Sequence, residues 1–430
     1  MNKICIRHED KYLLERRAPL VPDDIGELVR RHGLDISVER SEKRVFSDDE
    51  YRDAGASISG NVDNADLVMG VKEMPENYFK PGKAYLFFSH VIKGQPYNMP
   101  MLHNLIEQKA SLIDYEKITD NRSRRLIFFG RYAGLAGMIN TLWTAGKRFK
   151  ELGIQSPFAS LKQACQYSSL DDAISDIQQA GEFILDRGLP KEIYPLVIAV
   201  TGDGNVSNGS LEILDLVPGV EISASELAKG AIPEKTPVVK VNILPEDYLE
   251  HSDGNTFNLQ HYFDNPEEYR SVIEKHLSQI DILVNGIYWD ERYPKLVTKK
   301  WLREQSDTGE LRLKVIGDIT CDVNGSVECT ELATPIQNPV FIYNPVNEKH
   351  EMGFKGDGVA VMAVDILPSE LPREASEHFS SVLKPFMPAL ARADFSESFE
   401  NLDLPDEIKR AVIVHNGKLT PDFEYIQQYL

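Results

Sequence analysis

Through the first 126 residues, short apolar runs alternate with amphipathic stretches. The runs Lys3–Arg7, Asp35–Glu39, Asp66–Val71, Ala84–Ser89 and Ser111–Tyr115 predict strands. Pro22–His32 and Met99–Gln108, with apolar residues every three or four positions, predict helices. Alternation of this kind builds a mostly parallel sheet covered on both faces. From Tyr132 to Leu152 the pattern is helical and rich in small residues: Ala133, Gly134, Ala136, Gly137 and Gly146. A glycine inside a helix costs up to ~1 kcal/mol relative to alanine, so several call for a packing reason. This stretch reads as the connector between two domains.

A second α/β unit opens at Leu196. Its later strands are predicted at Val238–Asn242, Ile280–Tyr288 and Leu313–Thr320, with an irregular polar region from Asp215 to Asp264. The tail continues with strands at Val340–Tyr343 and Val359–Val364, a helix from Pro372 and a last helix near Phe423, and is expected to pack back on the first domain. The fold class is therefore α/β, in two Rossmann-like domains.

Length supports that division, since 430 residues exceed one ordinary core. The formal charge of -20 argues against a nucleic-acid partner, which needs a basic surface to neutralise phosphates. No apolar run reaches the ~20 residues of a membrane helix, so no membrane partner is expected. The N-terminal segment has no apolar signal core, and a cytoplasmic location is expected. Cys5, Cys165, Cys321 and Cys329 form no C-x-x-C pair, and no His/Cys cluster has metal-ligand spacing; reduced thiols and no metal are expected.

In an open α/β sheet, ligands bind beyond the carboxyl ends of the strands. Ionisable residues follow apolar runs there: Lys72 and Glu73 after ADLVMGV, His90 and Lys93 after AYLFFS, Glu116 after SLIDY, Asp318 after LKVIG. Two lysines, a histidine and three acids sharing one crevice would suit proton transfer beside a charged substrate. Singly, a Lys-Glu dipeptide is also what a solvated surface carries, and a histidine after a strand also serves structural hydrogen bonds. In ERRAPL, Arg16 and Arg17 precede Ala18-Pro19, and a guanidinium fork suits a carboxylate, although such a pair is equally at home on a surface. Arg124, Arg125 and Arg131 suit either a second carboxylate or acidic loops.

The stretch YPLVIAVTGDGNVSNG runs from a buried strand through Gly202 and Gly204 into a helical pattern. Such a turn brings backbone N–H groups and a helix N-terminus against a pyrophosphate. Ser207 stands at the usual third-glycine position, and Asp203 puts a carboxylate inside the cradle, where it repels phosphate unless turned outward. A plain tight turn without ligand is the alternative.

Taken together, ERRAPL, LVMGVKE, YLFFSHVIKGQ, LIDYEK, FGRYAGLAGMIN, TGDGNVSNG, LVNGIYW and GDITCDVNGSVE closely resemble the lysine–2-oxoglutarate reductase domains of α-aminoadipic semialdehyde synthases, within the alanine dehydrogenase and transhydrogenase family. The tail segments VAVMAVDILPSELPREASEHF and VHNGKLTPDFEYIQ extend the likeness over essentially the whole chain. The resemblance implies a discontinuous substrate domain, 1–131 plus 336–430, with a dinucleotide-binding domain at 132–335 inserted. It implies formation of saccharopine from lysine and 2-oxoglutarate by hydride transfer to an imine. Lys72 and His90 would transfer protons, and Asp318 would lie near the nicotinamide. Arg17, Lys93 and Arg125 would orient carboxylates, while Glu73 and Glu116 tune the lysine and histidine. Gly202, Gly204, Asn205, Val206 and Ser207 would hold the pyrophosphate, and Asn285, Gly286 and Ile287 would flank the nicotinamide ribose. The adenosine ribose reader is expected between Glu221 and Pro237, with Ser223, Ser225 and Glu226 as candidates. Relatives favour NADP, whereas Glu226 would favour NAD; NADP is the expected cofactor and NAD the alternative. A separate saccharopine-processing enzyme is an expected partner, and a homo-oligomer is left open. Two rival readings stand: a related amino-acid dehydrogenase, which the supply of cations makes less apt than a dicarboxylate enzyme, and a non-catalytic nucleotide-binding protein, which retention of Lys72, His90 and Asp318 opposes.

Overall fold

The computed structural model describes all residues, Met1–Leu430. Two compact units divide the chain: Met1–Phe129 with Pro372–Leu430, and Gly130–Leu371. The first contains strands β1 (Ile4–Ile6), β2 (Ile36–Glu39), β3 (Ser57–Ser59), β4 (Leu67–Met69), β5 (Ala84–Phe87) and β6 (Ser111–Asp114). The second contains β7 (Leu196–Thr201), β8 (Val220–Glu221), β9 (Val238–Ile243), β10 (Leu249–His251), β11 (Tyr269–Ser271), β12 (Ile282–Asn285), β13 (Val315–Asp318), β14 (Val340–Asn344), β15 (Lys349–Met352) and β16 (Val359–Met362). The chain then returns to the first unit with β17 (Val412–His415) and β18 (Lys418–Leu419).

The first sheet has the order β18-β17-β6-β5-β4-β1-β2-β3, parallel except for the β17–β18 edge. Alternate residues face opposite sides: Ile4 and Ile6 enter one core and Cys5 the other. Both faces are buried, which is why these strands read as continuous apolar runs instead of alternating ones. The helix Pro22–His32 has every local signal for its position: Pro22 in the first turn, Asp23 and Asp24 beside it, Arg30, Arg31 and His32 in the last turn, and Gly33 left-handed at φ 64° beyond.

The second sheet has the order β15-β14-β16-β13-β12-β7-β9-β8, with only the β14 and β15 pairings antiparallel. This corrects the expected boundary. β14 and β16 complete the second sheet, β16 pairing in parallel with β13, and the chain rejoins the first unit only at Pro372. The helix near Phe423 is a 3₁₀ run, Pro421–Tyr429. The small-residue helix, Gly130–Glu151, belongs wholly to the second unit and packs against the helix Asn205–Leu214. Its glycines have a steric reason. A Cβ at Gly134 would stand 2.0 Å from the Val206 carbonyl oxygen, and one at Gly209 would stand 2.2 Å from that of Arg131. The two helices thus meet backbone to backbone.

Candidate functional site

In the first unit the groups collect where β1, β4, β5 and β6 end. Glu73, just past β4, gives one carboxylate oxygen to an ammonium and an imidazole: Oε1 lies 2.6 Å from Lys11 Nζ and 2.7 Å from His90 Nδ1. Burial alone would raise the Glu73 carboxyl, but the hydrogen bond and charge of His90, with the Lys11 bond, hold it at about 2. Its Oε2 is buried and makes no hydrogen bond. A cavity of about 500 Å³ opens here, lined by Asp10, Lys11, Glu73, Met74, Tyr97 and Asn98 among others. Lys72 is half-buried, with Nζ 5.5 Å from the Tyr12 ring centre. The His90 ring stacks at 6.2 Å on Phe88 and keeps a third of its surface exposed.

Arg17 departs from expectation. Its Nε and one Nη bond the two oxygens of Glu15, at 2.8 and 2.5 Å, and its plane lies 4.1 Å from the Phe129 ring centre. With 4 % of its surface exposed, that edge of the fork is closed to a substrate carboxylate. Burial pushes Glu15 up, but Arg17 and the nearby Lys72 charge bring it below the usual carboxylate range. Glu116 and Arg125 pair with each other on the hairpin closed by Thr119 and Arg125, and Lys93 is exposed. Arg124 and Arg131 hold acidic partners, Asp120 and Glu212.

In the second unit the turn after β7 fits a dinucleotide. Gly202 is left-handed at φ 90°, where a Cβ would be strained and would sit 3.0 Å from Ser207 Oγ. Gly204 caps the helix Asn205–Leu214 without a side-chain bond, so the first-turn amides have no side-chain cap. Asp203 stands exposed, its carbonyl accepting from Asn208 Nδ2 at 3.1 Å. Gly286 and Ile287, after β12, come against the same turn: a Cβ at Gly286 would lie 2.9 Å from Ser207 Oγ, and Ile287 Cγ2 3.2 Å from one at Gly202.

Asn285 and Asp318 are not surface ligands. Both have 0 % exposure. Asn285 Nδ2 donates to Asp318 Oδ1 (2.9 Å), Thr320 Oγ1 (3.2 Å) and Ser326 Oγ (2.8 Å), and its oxygen accepts from Thr201 Oγ1 at 3.0 Å. Asp318 also accepts from Thr320 and Thr330, at 2.7 and 2.6 Å. Burial raises its carboxyl against these bonds. The pair is a strut beneath the turn, and Asp318 cannot touch a ligand in this arrangement.

Ser223 and Glu226 are likewise spent. They form a reciprocal cap on the helix Ala224–Ala228: Glu226 Oε2 accepts from Ser223 N at 2.9 Å, and Ser223 Oγ from Glu226 N at 3.2 Å. The sheet order explains the miss, because β9, not β8, lies beside β7. Near the end of β9, the strand that does lie beside β7, the buried Oδ1 of Asn242 makes no hydrogen bond.

The structure also gathers His251, His261 and Glu268 with ligand atoms within 4.8 Å, a grouping the sequence spacing hides. The Asp253 amide donates to His251 Nδ1 at 3.1 Å, so the neutral ring carries its proton on Nε2, the atom facing Glu268 at 3.2 Å. That tautomer donates a hydrogen bond to Glu268 and leaves no ring lone pair on Nε2 for a metal.

Residues 5–136 match the family model "Alanine dehydrogenase/PNT, N-terminal domain", and residues 238–422 match "Alanine dehydrogenase/PNT, C-terminal domain". The chain is 38% identical over 431 residues to α-aminoadipic semialdehyde synthase of Arabidopsis thaliana, covering 96% of this chain and 40% of that one. It therefore spans well under half of that relative. It is 28% identical over 391 residues to the saccharopine dehydrogenase (NAD+, L-lysine-forming) of Neurospora crassa, covering 88% and 89%. An L-alanine dehydrogenase structure aligns with a TM-score of 0.61 at 17% identity, over 99% of this chain and 98% of that one, which speaks to the fold alone.

Proposed function

Because this chain belongs to the alanine dehydrogenase/PNT family, we propose that it catalyses the reversible reductive condensation of lysine with 2-oxoglutarate to saccharopine. The observation that carries the proposal is the Glu73 carboxylate shared by Lys11 and His90 beside Lys72 and a 500 Å³ cavity. It offers one fixed negative charge, a partly exposed imidazole and two amines that both lie against the Tyr12 ring, which is the equipment for moving protons at an amine and at a departing hydroxyl.

Lysine's side-chain amine attacks the ketone carbon, water leaves, and the imine carbon is reduced while its nitrogen gains a proton. The attacking amine must be neutral, although a free lysine amine has a pKa of ~10.4. Lys72 serves as the proton acceptor and donor at that nitrogen. His90, oriented through Nδ1 by Glu73, keeps Nε2 for the proton that leaves with water. Lys93, which is exposed, is the cation for one substrate carboxylate; Arg125 takes the other by exchanging its Glu116 partner, and the buried Arg17 supports Glu15 instead. When bound, a reduced nicotinamide supplies the hydride. Gly202, Gly204, Asn205, Val206 and Ser207 would hold its pyrophosphate, with Gly286 and Ile287 against the nicotinamide ribose. The finer choice is NADP: Asn242 at the end of β9 leaves no carboxylate at the ribose-reading position to repel a 2′-phosphate.

Loss of reduced-cofactor absorbance with lysine plus 2-oxoglutarate, run with NADPH and NADH separately, tests both statements. The expected result is turnover with a higher kcat/KM for NADPH. Turnover only with another amine or oxoacid would reassign the substrate, and binding of cofactor without turnover on any pair would remove the enzyme reading.

A further inference from the structure

Where a parallel ladder ends, the next backbone donors must find other acceptors. In the first unit, two segments with this problem carry Lys72 and His90. β4 ends at Met69, and Glu9, just past the neighbouring β1, takes the donors that follow: the Val71 amide donates to Oε1 at 2.7 Å and the Lys72 amide to Oε2 at 3.0 Å. β5 ends at Phe87, beside Asp114, the last residue of β6. Asp114 Oδ2 accepts the Ser89 amide at 3.0 Å and the Ser89 hydroxyl, and Oδ1 accepts the Glu116 amide at 2.7 Å. From the other side, Asn98 Nδ2 donates to the carbonyls of Ser89 and His90, at 3.0 and 3.2 Å. So clamped, His90 takes a φ of 48°, a left-handed conformation that residues with a Cβ rarely occupy.

Neither carboxyl is a surface group: Glu9 is 5 % exposed and Asp114 0 %. Burial pushes both upward against the hydrogen bonds they accept. A buried acid is costly, and these two sit where an acceptor is needed on each oxygen. A carboxamide of the same size would present an N–H to one of the amides.

We propose that Glu9 and Asp114 are positioning residues for Lys72 and His90, each carboxylate adding one side-chain rung to the sheet ladder and fixing the backbone from which a proton-transferring side chain springs. The catalytic consequence rests on the reading of function above; the positioning itself is a property of the free protein.

The full chain carrying Glu9→Gln or Asp114→Asn tests it. Each is expected to lower kcat for lysine plus 2-oxoglutarate at least 10-fold, to leave the cofactor KM within about 2-fold, and to displace the pH profile of kcat. In the ligand-free protein, Asp114→Asn is expected to shift the His90 ring resonances and their titration midpoint. Ser89→Ala, which removes only the hydroxyl bond to Asp114, gives a smaller shift of the same kind and serves if Asp114→Asn does not fold. Carboxamide variants with kcat within about 2-fold of wild type overturn the proposal. So does a loss of kcat accompanied by an equal rise in cofactor KM and unmoved His90 resonances, which marks general damage. A wild-type protein inert toward lysine and 2-oxoglutarate would sink the functional reading instead, and the His90 resonances of the variants would still decide the positioning.

Discussion

The two units follow one plan, parallel strands with polar residues at their carboxyl ends, and use those residues in opposite ways. At the ends of β1, β4 and β5, Lys11, Glu73 and His90 share a single oxygen, and the imidazole stays partly open. At the ends of β12 and β13, Asn285 and Asp318 have no exposed surface, and both Asp318 oxygens accept hydrogen bonds. Position after a strand therefore does not separate a reacting group from a strut. Exposure and the number of partners do: a fully bonded, dry carboxyl holds a loop in place, whereas an imidazole left partly open on a shared carboxylate beside a cavity can exchange protons.

The comparison predicts that damage in the first unit shows in turnover and damage in the second in stability. Lys72→Met should lower kcat by about 10²–10⁴, the range for loss of a proton-transfer group, with cofactor binding unchanged. Steady-state rates and a cofactor titration on the same sample check it; turnover within a few-fold of wild type would remove Lys72 from the reacting groups. Asp318→Ala should instead strand the hydroxyls of Thr320 and Thr330 without their acceptor, take one of three acceptors from Asn285, and destabilise the protein by about 2–4 kcal/mol. Calorimetry measures this. An unchanged melt with abolished turnover would return Asp318 to the nicotinamide, where the family resemblance puts it.

Acid marks where that contrast ends, because one first-unit group also contributes to stability. Glu73 is held at about 2, below its ordinary 4.5, so its contribution to stability is present above about pH 4.5 and is lost as pH falls from there through about 2. Glu73→Gln should flatten urea midpoints across that window relative to wild type. A wild-type curve already flat between pH 4.5 and 2 would mean that the shared oxygen does not stabilise the fold.

Much of this was legible in the residues. Strands buried on both faces leave continuous apolar runs, and the glycine turn leaves a spacing, so β1, β2, β4 to β7, β9, β12 and β13 stand close to where their patterns put them. The Gly134 and Gly209 contacts supply the packing reason that the small residues called for. What pattern does not encode is which sheet a strand joins. β14 and β16 read as strands, but their pairing with β13 is a long-range choice. The rule that singles out Lys72 and His90 also singles out Lys11, because RHEDK follows β1 directly. The Arg17 fork suits a substrate carboxylate, and nothing in ERRAPL says that Glu15, two residues earlier, fills it. Spacing shows which groups are near in sequence, while who is bonded to whom depends on burial.

The smallest predicted effect falls on the edge of the second unit. Ser223 and Glu226 have the chemistry of a ribose reader, and a sheet in which β8 lay beside β7 would make them one. β9 lies there instead, and the two residues close each other's backbone donors. Ser223→Ala should therefore cost about 1 kcal/mol of stability, the usual value of a helix cap, and leave the KM ratio of NADPH to NADH untouched. Asn242→Asp, by placing a carboxylate at the end of β9, should move that ratio toward NADH. If Ser223→Ala shifts the ratio and Asn242→Asp does not, the ribose is read at β8 and the sheet order has been given the wrong functional weight.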